Sequence, residues 1–165
     1  MREATLMHKV NTRDVVEDAW VSPKGTFRGF GRSISIALGR KADSTDLLER
    51  HPFDVEVLRV EAGQTPYVYH SHGAQWEFYH VIAGRGSVRD AGGRTPVEAG
   101  DAFVFKPGEA HQITNDGTDD LVVYVVADNP LNESSHYPDS GKWTVRSPER
   151  RTMRSDALDY WDGEE

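Results

Sequence analysis

Short apolar segments, separated by Gly, Pro, Asn and Asp, run through the middle of the chain. Each is four to eight residues long and rich in Val, Tyr or Phe, as is typical of β-strands. Glycine-containing turns such as Asn115-Asp116-Gly117 separate them at intervals of roughly ten residues. This pattern predicts an all-β fold, an antiparallel sandwich or barrel. The predicted strands are Phe53–Val60, Tyr67–His72, Trp76–Ile82, Gly86–Arg89, Ala102–Phe105, His111–Thr114 and Leu121–Ala127.

The pattern places the core of the fold at residues 51–130 and an extension of it at residues 1–50. The extension carries isolated apolar positions between glycines, so we expect it to add strands that cover or lengthen a barrel. A single helical turn is predicted at Ser44–Arg50, with Ser44 as its N-cap and Pro52 ending it.

The C-terminal segment, residues 131–165, is polar. Its basic cluster is followed at once by an acidic end, which favours a solvated tail over a basic binding patch. We expect the segment to pack in part through Tyr137 and Trp143, and its last residues to be loose. The basic cluster consists of Arg146, Arg150, Arg151 and Arg154, and the acidic end of Asp156, Asp159, Asp162, Glu164 and Glu165.

The composition narrows the possible chemistry. The chain has 165 residues and no cysteine, with 19 basic and 27 acidic side chains and a formal net charge of −8. The length suits one domain, and the lack of cysteine excludes disulfides, thiolate-bound metals and a cysteine nucleophile. The acidic balance argues against binding to nucleic acid or to a membrane surface. The start MREATLMHKV lacks the apolar stretch of a signal peptide, so we expect a cytoplasmic protein.

Histidines supply the candidate chemistry. His70 and His72 are two positions apart in a predicted strand, so their side chains lie on one face with Cα atoms roughly 6.6 Å apart. Glu77 follows across a turn, and His111 begins another predicted strand. Three imidazoles and one carboxylate suit a divalent first-row metal and leave coordination positions open. The alternatives are buried histidines satisfied by hydrogen bonds and a vestigial site that holds metal weakly.

The first pair of histidines lies in a spaced motif. After Gly63 come six residues and then His70-Ser71-His72; four more residues lead to Glu77, and a further six to Gly84. This arrangement resembles the first motif of the cupin family. The family has five residues in place of six after the first glycine, which concerns a turn and not a ligand.

A second spaced motif contains the third histidine. The stretch Gly100–Asn115 begins with Gly-Asp and continues through Pro107-Gly108 to His111 and Asn115. It resembles the second cupin motif, except that Lys106 stands where the family has its proline. On the two motifs together the chain is identified as similar to single-domain bacterial cupins.

The resemblance implies a small jelly-roll barrel. In its mouth one divalent transition metal (Mn, Fe, Ni or Zn) would be bound by His70, His72, Glu77 and His111. A homodimer is also implied, since cupins of this size often pair through their N-terminal strands. The segment Tyr137–Trp143 is similar to the tail of a bacterial cupin group, some members of which carry provisional sugar-phosphate isomerase labels.

Further side chains are candidates for the pocket. Tyr79 shares the strand parity of Glu77, so it either completes the core or places its hydroxyl near the metal as a donor or acid. Arg59 either points inward as an anion clamp or lies on the surface. Three aromatic side chains either fill the core or, where they face inward, narrow the pocket: Phe103, Phe105 and Tyr124.

Two classes of function remain open at this point. The first is a metal enzyme that acts on a small oxygen-bearing substrate. With Fe(II) it would be a dioxygenase; with Mn(II), Ni(II) or Zn(II) it would be an isomerase in which Tyr79 or Glu77 is the acid–base residue. The second is a barrel that binds or senses a small molecule without catalysis. The sequence has no output element such as a helix-turn-helix, which favours the enzyme.

Overall fold

The computed structural model describes residues 7–42, 44–146, 150–154 and 158–164, so Asp156 and Glu165 of the acidic end lie outside it. The described chain is mostly antiparallel β-structure, as the apolar pattern predicts. None of its helices is long and apolar enough to cross a membrane. The strands are β1 (Asp18–Val21), β2 (Arg28–Ser33), β3 (Phe53–Val60), β4 (Ser71–His72), β5 (Glu77–Ala83), β6 (Arg85–Asp90), β7 (Gly93–Glu98), β8 (Ala102–Phe105), β9 (Gln112–Thr114), β10 (Leu121–Asp128), β11 (Ser134–Tyr137), β12 (Lys142–Val145) and β13 (Arg151–Arg154), and the helical turns are α1 (Ile34–Ala37) and α2 (Leu47–Arg50).

A six-stranded antiparallel sheet forms one wall, in the order β1-β2-β3-β10-β5-β8. Its centre is the pairing of β10 with β3, which runs from Leu121 opposite Val60 to Asp128 opposite Phe53. Burial alternates along β10 because successive side chains of a strand point to opposite faces. The N-terminal strands β1 and β2 lengthen this sheet, as the sequence predicts.

The opposite wall has two parts. One is a four-stranded sheet in the order β4-β11-β12-β13. The other is a three-stranded sheet in which β6 lies between β7 and β9. A backbone bridge between His70 and His111 connects them. The His70 amide donates to the His111 carbonyl oxygen at 3.2 Å, and the His111 amide to the His70 carbonyl oxygen at 2.8 Å. The bridge brings histidines from the two sequence motifs side by side.

The core fills the space between the walls. Its fully buried side chains come mainly from the end of β3 and the beginning of β10, and burial of each contributes roughly 1.5–3 kcal/mol. Toward the other end of these two strands the packing gives way to a cavity. The tight turn from β5 to β6 depends on Gly84, whose φ is +78° and whose missing side chain would collide with the Asp120 carbonyl oxygen. The buried aliphatic residues include Leu58, Val60, Val81, Leu121 and Val123.

Several elements differ from the sequence prediction. Strand β4 forms only the last two residues of the predicted strand Tyr67–His72, and the helical turn α1 was not predicted. Strand β7 is polar and contains Pro96, which is tolerated because β7 is an edge strand. The helical turn α2 is capped by Asp46, which accepts a hydrogen bond from the Leu48 amide at 2.9 Å. Ser44, the predicted cap, instead donates to Glu49. The C-terminal segment is more ordered than a solvated tail, because β11, β12 and β13 pair in sequence.

Candidate metal centre

The bridge and strand β4 fix the two histidines of the first motif. His70 is held by its bridge to His111, and His72 lies in β4, where it pairs with Ser135 of β11. The His72 carbonyl oxygen also accepts a hydrogen bond from the Gly108 amide at 2.7 Å, which ties the turn of the second motif to the first. Both histidine rings therefore point to one side, as strand alternation predicts.

Glu77 begins β5 and closes the group from the six-stranded sheet. Its Oε2 atom lies 2.8 Å from His111 Nε2 and 3.4 Å from His72 Nε2. The Nε2 atoms of His70 and His72 are 3.2 Å apart. The ligand atoms of His70, Glu77 and His111 all lie within 4.8 Å of one another. These four side chains form the ligand cluster.

The outer nitrogen of each imidazole in the ligand cluster has a hydrogen-bond acceptor. The Nδ1 atoms of His70 and His111 contact the carbonyl oxygens of Val68, at 2.8 Å, and of Glu109, at 3.1 Å. His72 Nδ1 contacts Oε1 of Glu133 at 3.2 Å. A carbonyl oxygen or a carboxylate only accepts, so each Nδ1 carries the hydrogen. In a neutral ring the lone pair is then on Nε2.

When all three rings are neutral, the lone pairs of their Nε2 atoms and of a carboxylate oxygen converge on one point. Such an arrangement is repulsive unless a proton or a metal ion lies among the donors, and imidazole with carboxylate suits divalent first-row metals. Acceptors that orient the ligating rings are the usual accompaniment of a metal site. The residues present therefore fit the divalent metal that the sequence predicts, and they do not select among Mn, Fe, Ni and Zn.

The protonation of the ligand cluster is consistent with this fit. Burial, followed by repulsion from His111 and His72, lowers the pKa of His70 to about 4. Burial opposes ionisation of Glu77, yet hydrogen bonds from His111 and His72 outweigh it and hold the pKa of Glu77 well below its usual range. Burial would also lower the pKa of His72, but Glu133 and Glu77 raise it to about 9. A metal that binds displaces that proton.

Three of the four side chains of the ligand cluster line a cavity of about 210 Å³. They are His70, His72 and Glu77, and Tyr79 also lines the cavity. Its walls are polar on the side of β3, and its other lining residues are Arg40, Asp54, Glu56, Leu58, Tyr67, Gln75, Val125, Ala127, Asn129 and Arg146. The cavity offers a small oxygen-bearing molecule direct access to the ligand cluster.

Comparison with known proteins agrees with the fold and the motifs. The family described as "Cupin domain" matches residues 56–127, the part of the chain that holds all four side chains of the ligand cluster. Residues 56–127 are a cupin domain. The cupin domain runs from β3 to β10, so Glu133 and β11 to β13 lie outside it.

Individual relatives are distant. The chain is 38% identical over 52 residues to the oxalate-binding protein of Thermotoga maritima, a match that covers 32% of this chain and 43% of that protein. The matched part thus spans less than half of that relative's length. A sugar phosphate isomerase of the cupin superfamily from Silicibacter pomeroyi is 22% identical, with a TM-score of 0.74 over 92% of this chain and 97% of its own. A predicted oxalate decarboxylase from Thermotoga maritima is 19% identical, with a TM-score of 0.60 over 74% and 99% of the two chains. At these identities the two structures show the cupin fold alone.

Aromatic side chains of the cupin domain support the ligand cluster from behind. The Tyr79 hydroxyl donates to Glu77 Oε2 at 3.2 Å and lies 3.3 Å from His111 Nε2. Phe105 stacks on the His111 ring with centroids 4.0 Å apart, and Phe103 stacks on Tyr79 at 5.3 Å. Phe103 and Phe105 therefore hold ligands in place and do not line the cavity. Catalytic roles for Tyr79 and Glu77 stay predictions.

Two predicted pocket residues lie on the outer face of the six-stranded sheet instead. Arg59 alternates with the buried Leu58 and Val60, and it forms ion pairs with Glu17 at 2.7 Å and Asp120 at 3.0 Å. Tyr124 alternates with buried residues of β10 and is paired with His80 and Val57 on that outer face. Strand alternation turns both side chains away from the cavity, so neither belongs to its lining, and Arg59 takes the surface alternative.

Sequence reasoning missed three residues of this site. Glu133 lies in the polar C-terminal segment, 61 positions from the histidine that it contacts, and no local pattern marks it. Arg146 was assigned to a solvated tail, yet it lines the cavity. Glu56 carried a usable signal, since it shares the strand parity of Leu58 and so places a carboxyl group on the apolar side of β3.

Proposed function

We propose that this protein is a metal-dependent enzyme that isomerises a small, anionic hydroxy-carbonyl compound such as a sugar phosphate. The observation that carries the proposal is the convergence of three imidazole Nε2 atoms and a carboxylate, three of these four side chains lining a cavity. A bound divalent metal would supply Lewis-acid polarisation and a template for substrate oxygens. The similarity to a sugar phosphate isomerase is one of fold and is consistent with this chemistry.

The cavity supports a small anionic substrate. Its volume of about 210 Å³ corresponds to about seven water molecules, enough for a compound of a few carbons. Arg146 is exposed at the lining and forms no ion pair with any described residue, so its guanidinium is available to a phosphate or carboxylate. Arg40, by contrast, is committed to Asp54 at 3.1 Å and to Asn129 at 2.9 Å.

Elemental analysis of protein purified without an affinity tag tests the metal part of the proposal. We expect about one divalent metal per chain. Zinc, manganese or nickel would support an isomerase, whereas iron would support the dioxygenase alternative. No metal enrichment over a His72→Ala variant would contradict the proposal.

Proton NMR in D2O tests the reaction. The metal-loaded protein is incubated with a panel of ketose and aldose phosphates, and both product signals and loss of the C–H signals beside the carbonyl are followed. Isomerisation with deuterium uptake from solvent supports the proposal. Neither change with any compound of the panel would contradict it.

A second candidate function is the binding of a small dicarboxylate without turnover. It is favoured by the 38% identity over 52 residues to an oxalate-binding protein, which lies within a third of this chain. Titration calorimetry with oxalate separates the two candidates. Tight, metal-dependent binding of oxalate, with no turnover of the sugar phosphates, would favour the binding protein.

The homodimer stays a proposal as well. The outer face of the six-stranded sheet carries apolar side chains that are 42% exposed at Phe78 and 45% exposed at Val104. These residues pair across β5 and β8 beside Tyr124 and Val126 of β10, so they form one patch. A second copy of this chain would cover the patch. Light scattering after gel filtration should give twice the chain mass, and Val104→Lys should shift the mass to that of the monomer.

A further inference from the structure

Glu56 has no role in the ligand cluster, yet it lines the same cavity. It lies on β3 between Ser33 of β2 and Val125 of β10, on the inner face that it shares with Leu58. Its half-buried side chain thus faces the enclosed space beside Tyr67 and Glu77, not the outer surface. A substrate oxygen bound at the ligand cluster would bring its neighbouring carbons toward this wall.

The neighbours of Glu56 leave its charge uncompensated. On its own strand, Asp54 is paired with Arg40 and accepts a hydrogen bond from Ser35. Tyr67 offers Glu56 a hydroxyl hydrogen bond, and the remaining titratable groups that act on it are Glu77 and Asp54, both acidic. Of the two cations that line the cavity, Arg40 pairs with Asp54, and neither Arg40 nor Arg146 forms an ion pair with Glu56. A carboxyl group without a cation is costly to bury, so its presence in a cavity points to a use.

Resting on the proposed function, we propose that Glu56 is the acid–base residue of this site, positioned by the hydroxyl of Tyr67. Its carboxylate takes a proton from the carbon that bears the substrate's hydroxyl. The electrons of that C–H bond form the C=C bond of an enediolate, and the electrons of the C=O π bond pass to the carbonyl oxygen. The resulting carboxylic acid returns the proton to the former carbonyl carbon. The hydroxyl proton passes to the other oxygen, so substrate and product have the same atoms and no oxidant or reductant is needed.

The titration of Glu56 is suited to this use. Burial, followed by repulsion from Asp54 and Glu77, raises the pKa of Glu56 to about 7. A group with a pKa near the working pH both accepts and donates a proton readily. The two catalytic candidates from the sequence are less available, because Glu77 is held by His111 and His72 and the Tyr79 hydroxyl donates to Glu77.

Exchange of substrate hydrogen with D2O provides the test. The full, metal-loaded chain is incubated with dihydroxyacetone phosphate and fructose 6-phosphate, and loss of the C–H signals is followed by NMR. Glu56→Gln should slow exchange by about 100-fold or more, because an amide cannot carry the proton. Its metal content by elemental analysis should equal that of the unchanged protein. The matched control is Glu98→Gln, an exposed carboxylate of β7, which should leave exchange and metal content unchanged.

A pH profile separates a chemical role from a structural one. The Tyr67 hydrogen bond lowers the pKa of Glu56, so Tyr67→Phe should move the rising limb of the exchange rate to higher pH. A merely structural Glu56 would leave the position of that limb unchanged. This shift decides the matter if Glu56→Gln does not fold.

The outcomes of the exchange experiments distinguish failure of the Glu56 assignment from failure of the proposed function. If the unchanged protein exchanges and Glu56→Gln with full metal does not, the assignment is supported. If both exchange equally, or the limb does not move in Tyr67→Phe, the assignment of Glu56 is overturned while the proposed function stands. If the unchanged protein with its metal exchanges neither compound, the proposed function and the assignment that rests on it both fall.

Discussion

Two carboxyl groups flank the ligand cluster, and their surroundings are opposite. Glu133, in the segment before β11, is 2% exposed and contacts His72 Nδ1, while its oxygens accept hydrogen bonds from the amides of Gly73 and Ala74 at 3.0 and 3.2 Å. Glu56, on β3, has a tyrosine hydroxyl and two acidic neighbours. Hydrogen bonds to its ionised form hold the pKa of Glu133 below its usual value despite burial, whereas burial and repulsion raise the pKa of Glu56.

The contrast assigns a positioning role to Glu133 and a chemical role to Glu56. A carboxylate with all its acceptors satisfied stabilises one geometry, here the ring orientation of His72. A buried carboxyl without a cation lowers the stability of the fold, and proteins keep such groups mainly where function needs them. The cupin domain supplies the ligands and the group for chemistry, whereas a later segment supplies the positioning group. Four substitutions test this division, from the largest expected effect to the smallest.

Removing a ligand should abolish the site that both carboxyl groups flank. We expect His72→Ala to reduce bound metal from about one per chain to background, because one of four donors is lost and Glu133 loses its partner. Elemental analysis after dialysis gives the result. The matched control is His80→Ala on the exposed outer face of β5, which should keep its metal. If His72→Ala bound as much metal per chain as the unchanged protein, His72 would not be a ligand and the comparison of Glu133 with Glu56 would lose its basis.

Glu133→Gln tests positioning alone. The amide oxygen can still accept from a backbone N–H, but the negative charge that fixes the Nδ1 hydrogen of His72 is lost. Metal affinity should fall by about 10–100-fold, the usual effect of losing a group that orients a ligand. Competition with a chromophoric chelator measures it.

An unchanged metal affinity in Glu133→Gln would contradict this prediction. Unchanged affinity would mean that the pairing of His72 with Ser135 and the Gly108 amide orient the ring without Glu133. Circular dichroism of the metal-free variant should match that of the unchanged protein, which excludes unfolding as the cause of weaker binding.

The two carboxyl groups also show which parts of the fold and of the site could be predicted from the sequence. The ligand cluster was predictable because its members lie in short motifs, and strand alternation alone puts His70 and His72 on one side. The central strands β3 and β10 were predictable because their apolar runs are long. Strand β7 was not, since an edge strand with Arg94 and Pro96 has no apolar alternation.

Long-range contacts explain what the sequence could not predict. Glu133 reaches His72 across 61 positions, through pairing of the polar strand β11 with the two-residue strand β4. Nothing local in the C-terminal segment indicates that pairing. Glu56 and Arg59 show the reverse: alternation from Leu58 assigns both correctly, one inward and one outward, once a single residue of β3 is known to be buried.

The pH dependence of the folding stability of Glu56→Gln tests the same comparison. The folded protein holds the Glu56 proton with a pKa of about 7, against 4.5 for the ordinary group, so folding stability falls as pH rises through that window. Glutamine has no such dependence. Metal-free Glu56→Gln should therefore gain about 3 kcal/mol over the unchanged protein at pH 8, and little at pH 4.5. Urea denaturation at both pH values measures it, and a pH-independent difference would contradict the assigned environment.

The smallest effect is expected at another carboxylate of the C-terminal segment. Asp139 forms a bidentate ion pair with Arg89 at 2.7 and 2.8 Å, but the Asp139 side chain is 55% exposed. Water screens such a pair, and the Asp139 side chain contacts Arg89 and not a member of the ligand cluster. Asp139→Asn should leave the metal affinity unchanged and the melting temperature within measurement error. If Asp139→Asn weakened metal binding as much as Glu133→Gln, the loss would come from general loosening of β11 and β12, and the specific hydrogen bond from His72 to Glu133 would not be its cause.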